Sequence, residues 1–248
     1  MWKKGFGCLS GYPDRARLAE GFNNVMVANW AAGGKEISVF THQKAMFIYA
    51  VSPLHMGAGT ALGLIDNPIQ REVHTDWPSM AGSGIRGAIR HALNGEEGWK
   101  NGKLTAIFGP EAGANDLHAG AVSFTDAQIV CLPVRSLRCA YVYATCPAAL
   151  ARLKRLANAA WRVPQVKEQE AWYRNDDLKQ GDHLILESLA FNANKQESVS
   201  AIANDLAGRA LPAGFFSDKL KTDLVIPFGH RLHSLREEQY ASRTACAN

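Results

Sequence analysis

The pattern of hydrophobic and polar positions predicts a chain in which strands alternate with helices. The short apolar run MFIYAV at 46–51, which Ser-Pro ends, is typical of a buried strand. Helical spacing appears in GSGIRGAIRHALNG at 82–95, where Ile85, Ile89 and Ala92 share one face. The glycine-rich stretch MGAGTALGL between them predicts a loop. These three segments therefore form a strand–loop–helix unit.

The rest of the pattern extends this alternation. The clearest helix is PAALARLKRLANAAWR, with Leu150, Leu153, Leu156 and Ala157 on one face and Pro147 at its start. The segment 166–181 is polar and mixed in charge, which is typical of an exposed excursion or hairpin. Further strands are predicted at 121–132, 138–146, 184–193 and 222–228, and a further helix at 197–211. The resulting order, β-α-β-β-α-β-α-β, favours an α+β domain of the split βαβ type.

Composition narrows the class of protein without naming a function. The 248 residues fit one large domain or two small ones, and 47% hydrophobic content is enough for a core. The net charge of +4 permits a polyanionic partner but does not demand one. No membrane span or secretory signal is evident, so a cytoplasmic protein is expected, without a membrane partner. The five cysteines have no zinc-site spacing, which favours a reducing compartment.

Candidate binding chemistry lies at the start of the 82–95 helix. A Gly-Ser-Gly turn that opens a helix presents unpaired N–H groups at the positive end of the helix dipole, where a phosphate fits. Arg86 and Arg90 add positive charge one turn apart, which suits a nucleic-acid backbone. A plain helix start with solvated arginines explains the same residues. The spacing is not that of a Walker loop.

Candidate catalytic chemistry lies just before this helix. Asp66 precedes Asn-Pro, and Pro68 is expected to confine Asn67 to extended geometry. A carboxylate near phosphate-binding residues can hold a divalent cation or move a proton, although an Asx turn is commoner for a lone loop aspartate. His55 and His74 could act on protons, or they could be solvated loop residues.

The stretch SPLHMGAGTALGLIDNPIQREVHTDWPSMAGSGIRGAIR at 52–90 closely resembles the signature of a known family. It is similar to the repeated backbone subunit of type III-B (Cmr) CRISPR effector complexes, a RAMP-superfamily protein. IFGPE at 107–111, AVSFTDAQIVCLP at 121–133 and LILESLAF at 184–191 follow in the family's order. The resemblance covers about residues 44–226, and the Asp-x-Pro-Ile-Gln-Arg-Glu block is its most specific part.

This resemblance implies a fold and an activity. The family fold is a modified ferredoxin-like, or RNA-recognition, core with inserted thumb and finger elements. Copies stack as a filament along the guide RNA beside the complex's other subunits. Each copy cleaves the paired target RNA in antiviral defence, with a divalent metal, Mg²⁺ or Mn²⁺. Base pairing then reads sequence, while the protein holds the guide backbone.

The resemblance also implies roles for individual residues. Asp66 matches the catalytic aspartate and would position the metal or accept a proton, and His55 matches a histidine near the cut site. Arg71 and Glu72 are expected to shape the loop. The segment 166–181 is a candidate thumb, whose Trp172 and Tyr173 could stack on bases or pack as a hairpin tip. The guide-binding set is Gly82, Ser83, Gly84, Arg86 and Gly87, with Arg90 adding charge.

The ends of the chain depart from the family pattern. Residues 1–43 are expected to be an extension without a counterpart, 44–226 the RAMP domain, and 227–248 a non-matching tail. This division leads us to expect a C-terminally truncated or frameshifted gene product. Two other functions stay open at this point: a guide-binding scaffold that does not cleave, and a phosphate- or nucleotide-binding α+β protein.

Overall fold

The computed structural model describes residues 42–59, 67–100, 102–111 and 113–229. They form two compact units. The first contains described residues up to Met46, Ala50–Arg71 and Pro78–Gln128, and the second contains Phe47–Tyr49, Glu72–Trp77 and those from Ile129 onward. Within the described ranges, no helix combines the length and apolar composition needed to cross a membrane.

The first unit is built around a small antiparallel ribbon and two helices. Phe108 is almost fully buried, and its ring stacks on Phe124 with centroids 6.2 Å apart. The first helix of this unit begins at Gly82, as predicted, and ends at Leu93. Its elements are β1 (Ser79–Met80), α1 (Gly82–Leu93), a 3-10 turn (Glu97–Trp99), α2 (Lys103–Phe108) and β2 (Ala127–Gln128), with β1 pairing β2.

The second unit is a mixed six-stranded sheet covered by helices. Its elements are β3 (Leu132–Val134), β4 (Val142–Ala144), α3 (Pro147–Ala157), β5 (Glu170–Tyr173), β6 (His183–Leu186), β7 (Leu189–Lys195), α4 (Ser198–Ala210), α5 (Phe215–Thr222) and β8 (Leu224–Pro227). The sheet order is β3-β4-β8-β5-β7-β6. β4 and β8 are parallel, as are β5 and β7, whereas β8 and β5 are antiparallel. The α+β class is therefore confirmed, and the ferredoxin-like arrangement stays a prediction.

The interior strands β4 and β8 explain the apolar runs in this unit. Side chains alternate between the faces of a strand. Val225 of β8 packs in one core cluster, while Leu224 and Ile226 pack in the other. Both clusters are buried, so strands between them carry continuous hydrophobic sequence. The predicted strands at 138–146 and 222–228 are confirmed as β4 and β8 for this reason.

The predicted helices at 147–162 and 197–211 are confirmed as α3 and α4, although α3 ends at Ala157 and not at Arg162. Pro147 occupies the first turn of α3, where its missing N–H costs nothing, and Asn158 ends the helix with a left-handed φ of 48°. Leu150 and Leu153 are buried as the spacing predicted. Leu156 is 37% exposed, so the buried face is narrower than the sequence pattern indicated.

The predicted buried strand at 46–51 is wrong. This segment has no strand assignment, and Met46, Ile48 and Val51 are exposed. Phe47 and Tyr49 instead pack against a core cluster of the second unit. The apolar run therefore contributes alternate side chains to a core without pairing in the described sheets.

The exposed excursion predicted at 166–181 is also wrong. Its centre is β5, which lies between β8 and β7 inside the sheet. Tyr173 is 2% exposed and packs in one core cluster, and Trp172 is partly buried against the other. In β5 the side chains are alternately buried and half-buried, as in a strand inside a sheet. The charge content of the segment did not indicate this.

Two predicted strand segments are divided differently in the structure. The segment 184–193 forms most of β6 and β7, which a turn at Glu187, with φ of 53°, separates. Within 121–132, only Ala127–Gln128 and the first residue of β3 pair in ladders. The short helices α2 and α5 were not predicted, because neither is long enough to show a clear helical period.

Candidate functional site

Two stretches of the first unit, one before and one after Asp66 in the chain, run antiparallel to each other. Gly57 bridges Ile69. The N–H of Ala58 donates to the Pro68 carbonyl at 2.8 Å, and the N–H of Gln70 donates to the Met56 carbonyl at 2.7 Å. Backbone hydrogen bonds thus join these two stretches. Asp66 itself lies outside the described residues, so its catalytic role stays a prediction.

Asn67, the residue after Asp66, does not have the extended geometry expected before proline. Its φ is 55°, in the left-handed region. Asparagine tolerates this conformation better than most residues, and here its Oδ1 accepts the Gly59 N–H at 3.3 Å. The side chain lies over Gly57, where an added Cβ would be 2.0 Å from Oδ1. Gly57 therefore leaves the space that the Asn67 side chain occupies.

His55 is placed beside the same backbone. Its Nε2 lies 3.0 Å from the carbonyl oxygen of Asn67, and the side chain is exposed. A carbonyl only accepts, so Nε2 carries the hydrogen and Nδ1 is the acceptor of the neutral ring. The structure thus brings His55 next to the covalent neighbour of Asp66. Asn67 and Gly57 were missed as contributors, although Asn-Pro after a glycine-rich loop is a turn signal.

The Gly-Ser-Gly helix start is partly occupied by a side chain of the same unit. Asp126 accepts the Gly82 N–H at 2.8 Å through Oδ1. A Cβ on residue 82 would lie 2.3 Å from the Phe124 carbonyl oxygen, so this glycine allows a close backbone approach. Ser83 and Gly84 are exposed. No local signal identified Asp126, because it lies 44 residues further along the chain.

The two arginines of α1 have different surroundings. Arg86 is exposed, as is the neighbouring Gly87. The Arg90 side chain is 17% exposed, its guanidinium donates to the Gly109 carbonyl, and Nη2 lies 3.6 Å from Glu111. Arg90 is therefore engaged within its own unit. Arg86 is the better placed of the two to meet a phosphate.

A second cluster, centred on Arg152 of α3, lies in the other unit. Arg152 Nη1 donates to both carboxylate oxygens of Glu72 at 2.9 Å, and Nη2 lies 3.0 Å from His74 Nε2. Its guanidinium also lies 4.8 Å from the ring centroid of the buried Trp77. Glu72 was expected to shape the loop. Its partner is Arg152, 80 residues away, which local sequence could not indicate.

The described residues contain no group of three or more His, Cys, Asp or Glu side chains that could hold a metal ion. The predicted metal ligand, Asp66, lies outside those residues. The divalent metal therefore stays a prediction.

Comparison with known proteins places the chain in a family. The RAMP superfamily model matches residues 47–227. The CRISPR system Cmr endoribonuclease Cmr4 of Pyrococcus furiosus is 34% identical over 202 residues, which is 72% of this chain and 68% of that protein. The crystal structure of oligomeric Cmr4 from Pyrococcus furiosus has a TM-score of 0.58 at 28% identity, covering 73% of this chain and 70% of that one.

A second crystal structure of Cmr4 has a TM-score of 0.61 at 27% identity, with 75% of this chain and 68% of that chain covered. Sequence and structural similarity therefore point to the same family, and they confirm the resemblance read from residues 52–90. The chain belongs to the RAMP superfamily and, within it, to the Cmr4 subunits of type III-B CRISPR complexes.

Proposed function

We propose that this chain is a subunit of an RNA-guided type III-B complex that holds the guide RNA backbone and cleaves the paired target RNA. The observation that carries the proposal is the 34% identity to a protein named as a Cmr endoribonuclease. Its proposed partners are guide RNA, target RNA, further copies of itself and the other subunits of the complex. A similar chain solved as an oligomer supports the self-association. A modified ferredoxin-like core with thumb and finger elements belongs to the same proposal.

The proposed chemistry is an attack by the target's own ribose. The 2′-oxygen of a displaced nucleotide forms a bond to the adjacent phosphorus, and the bond from phosphorus to the 5′-oxygen breaks. The departing 5′-oxygen takes a proton from water, so the products are a 2′,3′-cyclic phosphate and a 5′-hydroxyl. Asp66 would accept the 2′-hydroxyl proton, because a carboxylate within hydrogen-bond reach is a suitable general base. A bound Mg²⁺ or Mn²⁺ would supply further charge neutralisation when present.

The proposed guide contact uses the exposed part of the α1 start. The N–H groups of the first turn of a helix lack partners within the helix. The Gly82 N–H donates to Asp126, so it is already used. Ser83 and Gly84 are exposed, and their N–H groups are the ones proposed to meet a phosphate. Arg86 and Gly87 lie next to them, and neither backbone N–H groups nor an arginine read sequence in such contacts. A guide of any sequence is therefore accommodated.

Arg86→Ala is expected to weaken guide binding and to make that binding less dependent on salt concentration. Loss of one phosphate contact should lower the slope of log Kd against log salt by about 0.7 on single-stranded RNA. Arg90→Ala is the matched control, because Arg90 contacts Gly109 and Glu111 instead. It should leave the slope unchanged and reduce the free energy of unfolding by about 1–3 kcal/mol. Equal slopes for Arg86→Ala and wild type would remove Arg86 from the interface.

The test of the proposed function is cleavage of end-labelled target RNA by the guide-loaded complex. Evenly spaced products that depend on guide complementarity support the proposal. Guide binding without any cleavage would favour a scaffold subunit. Displacement of RNA by a nucleoside triphosphate would instead favour a nucleotide-binding protein, since a dedicated RNA backbone site has no preference for a triphosphate.

A further inference from the structure

His55, Gly57, Gly59 and Asn67 form a closed set of contacts that we call the Asn67 clasp. We propose that His55 and Asn67 are positioning residues: the clasp holds the backbone next to Asp66, and His55 contributes through its bond to the Asn67 carbonyl. This inference rests on the proposed function. The role that it assigns to His55 is positioning, which differs from proton transfer with RNA.

The clasp holds Asn67 from two directions. The His55 ring lies on its carbonyl oxygen at 3.0 Å, and the Gly59 N–H lies 3.3 Å from its side-chain oxygen. The neighbouring ladder bond from Ala58 to Pro68 is 2.8 Å long. Backbone and side chain of one residue are thus anchored to the opposite stretch. A left-handed non-glycine residue persists where such contacts over-determine it.

The fit of Asn67 against Gly57 argues that the clasp is specific. Three side-chain atoms of Asn67 lie 2.0–2.5 Å from the position of a Cβ on residue 57. Any side chain at 57 would displace the Asn67 amide, and with it the bond to Gly59. The present position of the Asn67 amide therefore depends on a glycine at residue 57.

The hydrogen bond of His55 restricts what its ring can do. Nε2 is committed as a donor to a carbonyl, and a nitrogen that carries the hydrogen cannot also accept a proton. Proton abstraction through Nε2 would require the clasp to open, so within the clasp only Nδ1 could accept a proton, and the variants at position 55 must separate that role from positioning. A residue whose role is to donate to the Asn67 carbonyl can be replaced by another donor of similar reach.

Glutamine, asparagine and alanine at position 55 separate positioning from proton transfer. The Gln amide nitrogen reaches about as far as Nε2 and donates, whereas the Asn amide is one carbon shorter and Ala has no donor. In the guide-loaded complex, His55→Gln should cleave within about threefold of wild type, with an unchanged pH profile. His55→Asn and His55→Ala should lose about 10²-fold, because small misplacements are costly in catalysis. Equal loss in all three variants would overturn the positioning role.

Amide hydrogen exchange tests the clasp without cleavage. In the assembled complex, Asn67→Ala and His55→Ala should speed exchange at Gly59 and Ala58 by about tenfold or more, while His55→Gln keeps the wild-type rates. Wild-type exchange in Asn67→Ala would overturn the clasp. Failure of the proposed function is a separate result, seen as no cleavage by wild type or as full cleavage by Asp66→Ala.

Discussion

Asp66→Ala is expected to lower target-RNA cleavage by roughly 10²–10⁴-fold while guide RNA stays bound. The reason is that the variant removes the proposed general base and leaves the exposed α1 start, with Ser83, Gly84 and Arg86, in place. The measurement is the single-turnover cleavage rate of labelled target RNA by the guide-loaded complex, with the guide Kd determined in parallel.

Removing any carboxylate makes the chain more positive and can itself alter RNA affinity. Asp116→Ala controls for this, because Asp116 is an exposed aspartate of the first unit and has no proposed role. It should cleave at the wild-type rate. Asp66→Asn should behave like Asp66→Ala, since the amide cannot accept the proton. Wild-type cleavage by Asp66→Asn would place the chemistry on another residue.

Glu72→Ala is expected to lower the free energy of unfolding by about 3 kcal/mol, because it leaves the charge of Arg152 without its carboxylate. The Glu72 and Arg152 side chains are only 10% and 20% exposed, so water replaces the lost partner poorly. The guanidinium would remain against the Trp77 ring and His74. Urea unfolding of the full chain, followed by tryptophan fluorescence, measures the change.

An exposed ion pair in the same unit provides the control. Arg174 and Glu197 are 53% and 78% exposed, so Glu197→Ala should change stability by less than about 0.5 kcal/mol. The double variant Glu72→Ala/Arg152→Ala should recover part of the loss, since no unpaired charge is left. Equal effects of Glu72→Ala and Glu197→Ala would show that burial adds nothing to the Arg152 contact.

The sequence predicted an element correctly where the residues within that element are enough to specify it. The helices α1, α3 and α4 follow from apolar periodicity and from residues such as Pro147 that suit a helix start. β8 follows from a continuous apolar run, which a strand buried on both faces requires. In each case the pattern within about a dozen residues contains the relevant information.

Local sequence failed where neighbours in space changed the outcome. The polar segment around Trp172 became a central strand because β7 and β8 pair with it on both sides. Asn67 became left-handed because Gly57 makes room for its side chain and Gly59 donates to it. Proline's preference for an extended preceding residue is a tendency, and these contacts outweigh it.

The sequence by itself determined the family, through the aspartate block and the Gly-Ser-Gly turn, and with the family the expectation that Asp66 cleaves RNA. Only the tertiary structure decided which polar groups meet. Asp126 reaches the Gly82 N–H across 44 residues, and Arg152 reaches Glu72 across 80. It also placed His55 on the Asn67 carbonyl and committed Arg90 to Gly109. The physical reason is that a partially buried polar group must find a partner, and the folded backbone, rather than spacing along the chain, determines which partner lies within reach.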